Sequence, residues 1–107
     1  MKKSNYIVVF VTSKDKAEAQ RIAQYLLKQK CAACVNIVDG IQSLFWWEGK
    51  IDQSAEVLLI IKSKKSLFRK IVSGVRAVHS YSVPEIIALP IAEGHQDYLK
   101  WIDTVLR

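Results

Sequence analysis

His79 and Glu85 are the residues whose side chains are best suited to holding a metal ion. They flank the stretch HSYSVPE and supply an imidazole nitrogen and a carboxylate, which suit divalent ions such as copper or zinc. Two ligands are too few for a tight site, so a neighbouring copy or water would have to complete the coordination. The alternative is structural: His79 ends a helix and binds its carbonyls, while Glu85 pairs with a lysine.

Cys31 and Cys34 have the Cys-x-x-Cys spacing of a metal or redox pair. The pair lies between the first predicted helix and the second predicted strand, whereas a thioredoxin-type pair begins a helix. The sequence has no second pair to complete a four-cysteine site. We therefore interpret the spacing as incidental, with Cys34 acting as a small buried apolar residue.

The elements that position these residues follow from the hydrophobic pattern. Predicted strands cover 5–12, 32–47, 50–62 and 86–92, and predicted helices cover 15–29, 65–78 and 95–106. Asp15, with Glu18 three residues later, resembles a capping box at the start of the first helix. Glu48-Gly49 predicts a tight hairpin turn, and a bulge is expected near Asp39-Gly40. The order β-α-β, β-α-β plus a final helix predicts one α+β domain over residues 1–107, with the ferredoxin-like βαββαβ topology.

The first and third strands should be central in this topology, because both are apolar on consecutive positions. The fourth strand contains Pro90, which cannot donate to a ladder, and therefore belongs at an edge. Local pattern and topology thus agree.

One face of the predicted sheet lacks a cover. Two helices protect one face, yet the third strand places Leu58 and Ile60 on the other, and residues 44–47 read Leu-Phe-Trp-Trp. Such a patch exceeds what monomers usually expose. Either the final helix or another copy of the chain must cover it, and a long hairpin offers open edges for pairing between chains. We predict an oligomer; the alternative places Trp46 and Trp47 in the core of a single chain.

Composition argues against several classes of function. The net charge is +6, but the lysines are spread along the chain, as on a solvated surface. The third strand has no aromatic residue to stack a base at 57–61, so nucleic-acid binding is not expected. Neither paired carboxylates nor a nucleophile-base pair nor a cofactor motif indicates an enzyme.

The apolar runs are too short to predict a membrane span, which needs about 20 residues. The basic start, Met1-Lys2-Lys3, precedes too short an apolar stretch for a signal peptide. We therefore expect a cytoplasmic protein.

Five segments, in order, resemble the CutA family of divalent-cation tolerance proteins. They are AACVNI at 32–37, FWWEGKI at 45–51, Glu56-x-x-Leu59-x-x-Lys62, His79-x-Tyr81-x-x-Pro84-Glu85-Ile86, and Tyr98-Leu99-x-Trp101. The resemblance implies a homotrimer with strands paired between subunits, and a link to copper and other divalent metal ions. It implies no reaction. Two positions depart from the family: Ser80 stands where the family has proline, and Val11 where some members have cysteine.

Tyr81, Lys62 and Trp47 are candidates for lining a cleft between subunits near the His79 loop. The leading hypothesis is a trimeric divalent-cation tolerance protein that binds copper-type ions without catalytic turnover. The alternative is a sensor, similar to the trimeric PII proteins, that binds a small anionic metabolite between subunits. A Gly-rich phosphate loop, which would favour the alternative, is missing from the sequence.

Overall fold

The computed structural model of the chain describes residues 4–107. The start at Met1 to Lys3, on which the expectation about a signal peptide partly depends, lies outside these residues. A 3₁₀ turn, Lys65–Leu67, precedes the second helix. The strands and helices are β1 (Tyr6–Ser13), α1 (Lys16–Lys28), β2 (Cys34–Trp47), β3 (Lys50–Lys64), α2 (Phe68–Val78), β4 (Ile86–Pro90) and α3 (Gln96–Val105).

The four strands form one antiparallel sheet in the order β2-β3-β1-β4. The predicted α+β class and the central positions of the first and third strands are confirmed. The fourth strand is an edge strand as expected, but it ends at Pro90 rather than continuing to residue 92. Proline has no backbone N–H, so it is tolerated where the ladder stops.

The main core lies between the sheet and the helices α1 and α2. Alternate residues of the central strands point into it, including Val9 and Val11 of β1 and Leu59 and Ile61 of β3, none of which is exposed. The two helices contribute apolar side chains at helical spacing: Ala19, Ile22, Ala23, Leu26, Ile71 and Val75. Burial of each large side chain stabilises the fold by about 1.5–3 kcal/mol.

Helix α3 packs near Tyr6 and Lys64, which alternate away from the main core. Asp103 accepts a 2.7 Å hydrogen bond from the Tyr6 hydroxyl and lies 3.3 Å from Lys64 Nζ. Ile102 is fully buried beneath the helix. Further along the same sheet face, Ile87 and Leu89 remain 50% exposed, so α3 covers this face only in part.

The hairpin of β2 and β3 extends beyond the rest of the sheet. The last pair between β1 and β3 is Ser13↔Val57, whereas β2 and β3 remain paired out to Trp47↔Lys50. A register shift between Val38 and Ile41 confirms the predicted bulge. The turn at Glu48 and Gly49 has positive φ at both residues, as two-residue hairpins require. We call the ribbon of residues 39–56 the arm.

The arm carries large apolar side chains that the chain itself leaves exposed. Trp46 is 72% exposed, Ile51 65% and Trp47 50%. The alternative that both tryptophans are core residues of a single chain is therefore wrong. Among residues 4–107, no helix has the length and apolar content that a membrane crossing requires.

Candidate functional site

The predicted metal ligand His79 lies directly after α2, and its side chain is fully buried. Its ring Nε2 is 2.7 Å from the Thr12 carbonyl oxygen, and its Nδ1 accepts a 3.0 Å hydrogen bond from the Tyr81 backbone N–H. These partners assign the neutral tautomer with the proton on Nε2. Both ring nitrogens are thus engaged within the chain. The backbone N–H of His79 donates to the Val75 carbonyl of α2, as the structural alternative expects, whereas the ring bonds the Thr12 carbonyl of β1.

The next residue in the loop, Ser80, binds α1. Its backbone N–H donates to Oε2 of Glu18 over 2.9 Å, and Oε1 of Glu18 accepts from the Lys14 N–H. Glu18 is 1% exposed, and its own N–H donates to Asp15 Oδ1, as the capping residues predict. Burial favours the neutral acid, but the hydrogen bonds from Ser80 and Lys14 outweigh it and lower the pKa of Glu18.

Tyr81 binds β3 at the base of the arm. Its hydroxyl donates a 2.8 Å hydrogen bond to Glu56 Oε2, and its ring packs 4.7 Å from the ring of His79. Burial, followed by the bond to the Glu56 carboxylate, raises the pKa of Tyr81 to about 12. The hydroxyl therefore stays protonated and acts as a donor at neutral pH.

Three consecutive loop residues thus bind three different elements: His79 binds β1, Ser80 binds α1 and Tyr81 binds β3. The sequence patterns indicated His79 and Tyr81 but not Glu18 or Glu56 as their surroundings. Glu18 was visible only as a helix-capping residue, and Glu56 only as the first residue of its family-like segment. These hydrogen bonds keep a proton on His79 Nε2 and on the Tyr81 hydroxyl, and they fix the loop in place.

Glu85, the second proposed ligand, is exposed near the start of β4. Within residues 4–107 it forms no ion pair, so the alternative of a lysine partner is wrong for the single chain. Nor does this part of the chain contain a group of three or more His, Cys, Asp or Glu side chains suited to a metal. One chain therefore does not present His79 and Glu85 as a formed metal site.

Tyr81, Lys62 and Trp47 are far apart within one chain. Glu56, the partner of Tyr81, lies six residues along β3 from Lys62 and six residues in the other direction from Lys50, which faces Trp47. At about 3.3 Å per residue, each separation is about 20 Å. Lys62 instead donates to the Asn36 side chain on the neighbouring strand. A cleft lined by all three residues would need more than one chain.

The two cysteines occupy different environments, and both are free thiols. Cys31 is 1% exposed, and its thiol donates to the Leu26 carbonyl. Burial raises the pKa of the Cys31 thiol. Cys34 is only half-buried, so the interpretation of Cys34 as the buried apolar residue is wrong: Cys31 has that role.

These features define an α+β chain with an antiparallel sheet, a projecting apolar arm and a loop whose first three residues, 79–81, are each hydrogen-bonded to another element or to each other. The profile of the family described as CutA1 divalent ion tolerance protein matches residues 7–105. The chain therefore belongs to the CutA1 family of divalent ion tolerance proteins.

Relatives with known sequences support this assignment. The chain is 50% identical over 101 residues to "Protein CutA 1, chloroplastic" of rice, with 94% of this chain and 57% of the relative aligned. It is 44% identical to the "Divalent-cation tolerance protein CutA" of Thermus thermophilus, with 89% of this chain and 92% of the relative aligned. The chain thus spans less than two thirds of the chloroplastic relatives but nearly all of the bacterial one.

Solved structures agree with the fold. The crystal structure of CutA1 from Oryza sativa superposes with a TM-score of 0.93 at 48% identity, covering 98% of this chain and 96% of that one. The structure described as the periplasmic divalent cation tolerance protein CutA from Archaeoglobus fulgidus also gives 0.93, at 42% identity, covering 95% and 99%. The relatives from Thermus thermophilus and Archaeoglobus fulgidus are named as divalent-cation tolerance proteins, and none of these names describes an enzyme or a PII-like sensor.

Proposed function

We propose that this chain is the subunit of a homotrimer of ferredoxin-like domains that binds divalent metal ions, copper-type ions included, and contributes to metal tolerance without catalytic turnover. Membership of the CutA1 family supports the link to divalent ions. The observation that carries the assembly is the arm, whose Trp46, Ile51 and Trp47 side chains are at least half exposed in the single chain. Apolar patches of this kind usually mark interaction sites, so we expect other copies of the chain to cover it.

Metal binding on this proposal depends on assembly. His79 has no free ring nitrogen within its own chain, and Glu85 stands alone on the surface. Borderline divalent ions take several nitrogen, sulfur or oxygen ligands, so Glu85 needs ligands from a neighbouring copy or water. His79 joins the site only by releasing the Thr12 carbonyl or the Tyr81 N–H. We therefore expect a weak site on the assembled protein.

Calorimetry on the assembled protein tests the metal site, with Cu²⁺ and Zn²⁺ titrated separately. Removing a true ligand weakens metal affinity about ten-fold or more, so Glu85→Ala should show this loss while the protein stays folded. His79→Ala should weaken binding as well, together with a lower melting temperature because its buried bonds are lost.

The second histidine provides the matched control. His95 is exposed, with its ring 3.7 Å from the Asp97 carboxylate, and His95→Ala should leave the affinity unchanged. Unchanged affinity in folded Glu85→Ala would contradict the proposed ligand. A loss confined to His95→Ala would assign metal binding to His95 instead of Glu85.

A cytoplasmic location is part of the proposal and needs its own test, because the names of the relatives include chloroplastic and periplasmic forms. Fractionation of the source cells with antibodies to this chain should recover it with cytoplasmic markers. Recovery with periplasmic or organelle markers would contradict this location.

A further inference from the structure

The arm has little support of its own. Beyond Ser13↔Val57, β2 is the one strand within residues 4–107 that still pairs with β3, and an isolated two-stranded ribbon is marginal in water. Ribbon residues 39–55 are all at least partly exposed. The direction of the arm relative to the rest of the chain must therefore be set at its base, where the pairing of β1 with β3 ends.

The base of the arm coincides with an irregularity in the sheet. The bulge inserts one extra residue between the pairs Val38↔Leu58 and Ile41↔Glu56, and Gly40 within it has φ +76. Bulges bend a strand and increase its twist. The strand pairing is therefore least regular where the arm begins.

Glu56 lies at this same level, one residue beyond the last pair of β1 with β3, and directly opposite Ile41. It is 8% exposed, which makes it the one buried residue of the arm. The Tyr81 hydroxyl reaches its carboxylate from the loop that wraps around the end of β1. Tyr81 is in turn attached to β1 through His79 and the Thr12 carbonyl.

We propose that the Tyr81–Glu56 hydrogen bond is a clamp that fixes the arm to the rest of the chain and holds it in the direction that assembly requires. The bond reaches β3 from the loop, at the level of the bulge. It therefore restrains bending of the arm at the bulge, which the strand pairing alone restrains poorly. Tyr81 and Glu56 are positioning residues. The role of the arm in assembly rests on the proposed function, whereas the clamp itself is a property of the single chain.

Hydrogen exchange of the full chain tests the clamp, with Tyr81→Phe as the main variant because it keeps the ring against His79 and removes only the hydroxyl. A buried carboxylate that loses its donor destabilises the closed arm, so amides of residues 41–55 should exchange about ten-fold faster. Amides of β1 and of residues 57–61 should keep their protection. Unchanged arm exchange, or an equal increase in both regions, would overturn the clamp.

Three further variants separate the clamp from a general loss of stability. Glu56→Gln keeps an acceptor for the Tyr81 hydroxyl and should preserve arm protection better than Glu56→Ala does. Combining Glu56→Ala with Tyr81→Phe should add little to either single change, because both remove the same bond. Full additivity would contradict a direct interaction.

Tyr25→Phe is the control, since Tyr25 is also half-buried but its hydroxyl makes no hydrogen bond to residues 4–107.

The experiment also distinguishes the two proposals. A monomeric wild-type chain whose arm loosens in Tyr81→Phe supports the clamp and removes the proposed assembly. A trimer whose arm exchange is insensitive to Tyr81→Phe leaves the assembly and removes the clamp.

Discussion

The backbone N–H of Ser80 donates a 2.9 Å hydrogen bond to Oε2 of the buried Glu18, joining residues that are 62 positions apart. The CutA family pattern has proline where this chain has Ser80, and proline has no N–H to donate. This chain therefore makes a loop-to-helix bond that the family's proline cannot make.

Ser80→Pro should destabilise the protein. Removing a donor from a buried carboxylate costs about 1–3 kcal/mol, whereas a compatible proline returns only about 0.4–1 kcal/mol by restricting the unfolded chain. The backbone of His79 is extended, at φ −83 and ψ 141, so it accepts a following proline without a clash. We expect a net loss of about 1 kcal/mol in urea denaturation.

Ser80→Ala keeps the N–H and is the matched control, with a smaller loss of stability expected. Equal or greater stability of Ser80→Pro would mean that loop rigidity matters more than the bond to Glu18.

Acid should remove the contribution of Glu18. Its pKa in the folded protein is below the ordinary value of 4.5, so its stabilisation is complete above that value and is lost as the pH falls through the folded pKa. Glu18→Gln should therefore be less stable than wild type at pH 7, and the difference should shrink as the pH falls below 4.5 and through the lowered pKa of Glu18. Denaturation at fixed protein concentration measures both free energies of unfolding.

The exposed Glu93 supplies the control, since Glu93→Gln should change stability little at either pH. A difference between wild type and Glu18→Gln that grows in acid would mean that the pKa of Glu18 is raised rather than lowered.

The two thiols should react at different rates with a thiol reagent in the native protein. Cys34 is half-buried, whereas Cys31 is enclosed, bonded to the Leu26 carbonyl and raised in pKa. Cys34 should therefore react first, and Cys31 should react fully only in denaturant. Cys34→Ala should abolish the fast phase. Faster modification of Cys31 would contradict the burial seen here.

Most of the architecture was predictable because it depends on local pattern. Consecutive apolar residues identify β1 and β3 as central strands, Pro90 identifies β4 as an edge strand, and Glu48-Gly49 turns the hairpin. Asp15 also caps α1 as the sequence indicates. Each of these features involves neighbours within a few residues or a single chemical constraint.

The surroundings of the candidate site could not be predicted in the same way. The bonds from Ser80 to Glu18 and from Tyr81 to Glu56 join residues 62 and 25 positions apart, and nothing in the local pattern marks the acceptors. Which of the two cysteines is buried could not be predicted from the local pattern either. Lys30 adopts a positive φ of 58 at the end of α1, which turns the chain so that Cys31 lies beneath that helix.

A smaller apolar surface on the arm should weaken assembly. Trp46 is 72% exposed in the single chain, so Trp46→Ala should leave the subunit fold intact while lowering the stability of the oligomer. Dilution followed by size-exclusion chromatography measures this change. Leu27 on α1 is 40% exposed and lies outside the arm, and Leu27→Ala should not alter dissociation. Equal effects of both variants would contradict a specific role for the arm.

Copies of this chain are proposed to cover the apolar arm and the partly open sheet face for one another. Light scattering of the purified wild-type chain at micromolar concentration tests this claim. We predict a mass three times the 12.2 kDa of one chain. A monodisperse species of 12.2 kDa, folded and stable with its tryptophans in water, would contradict the claim.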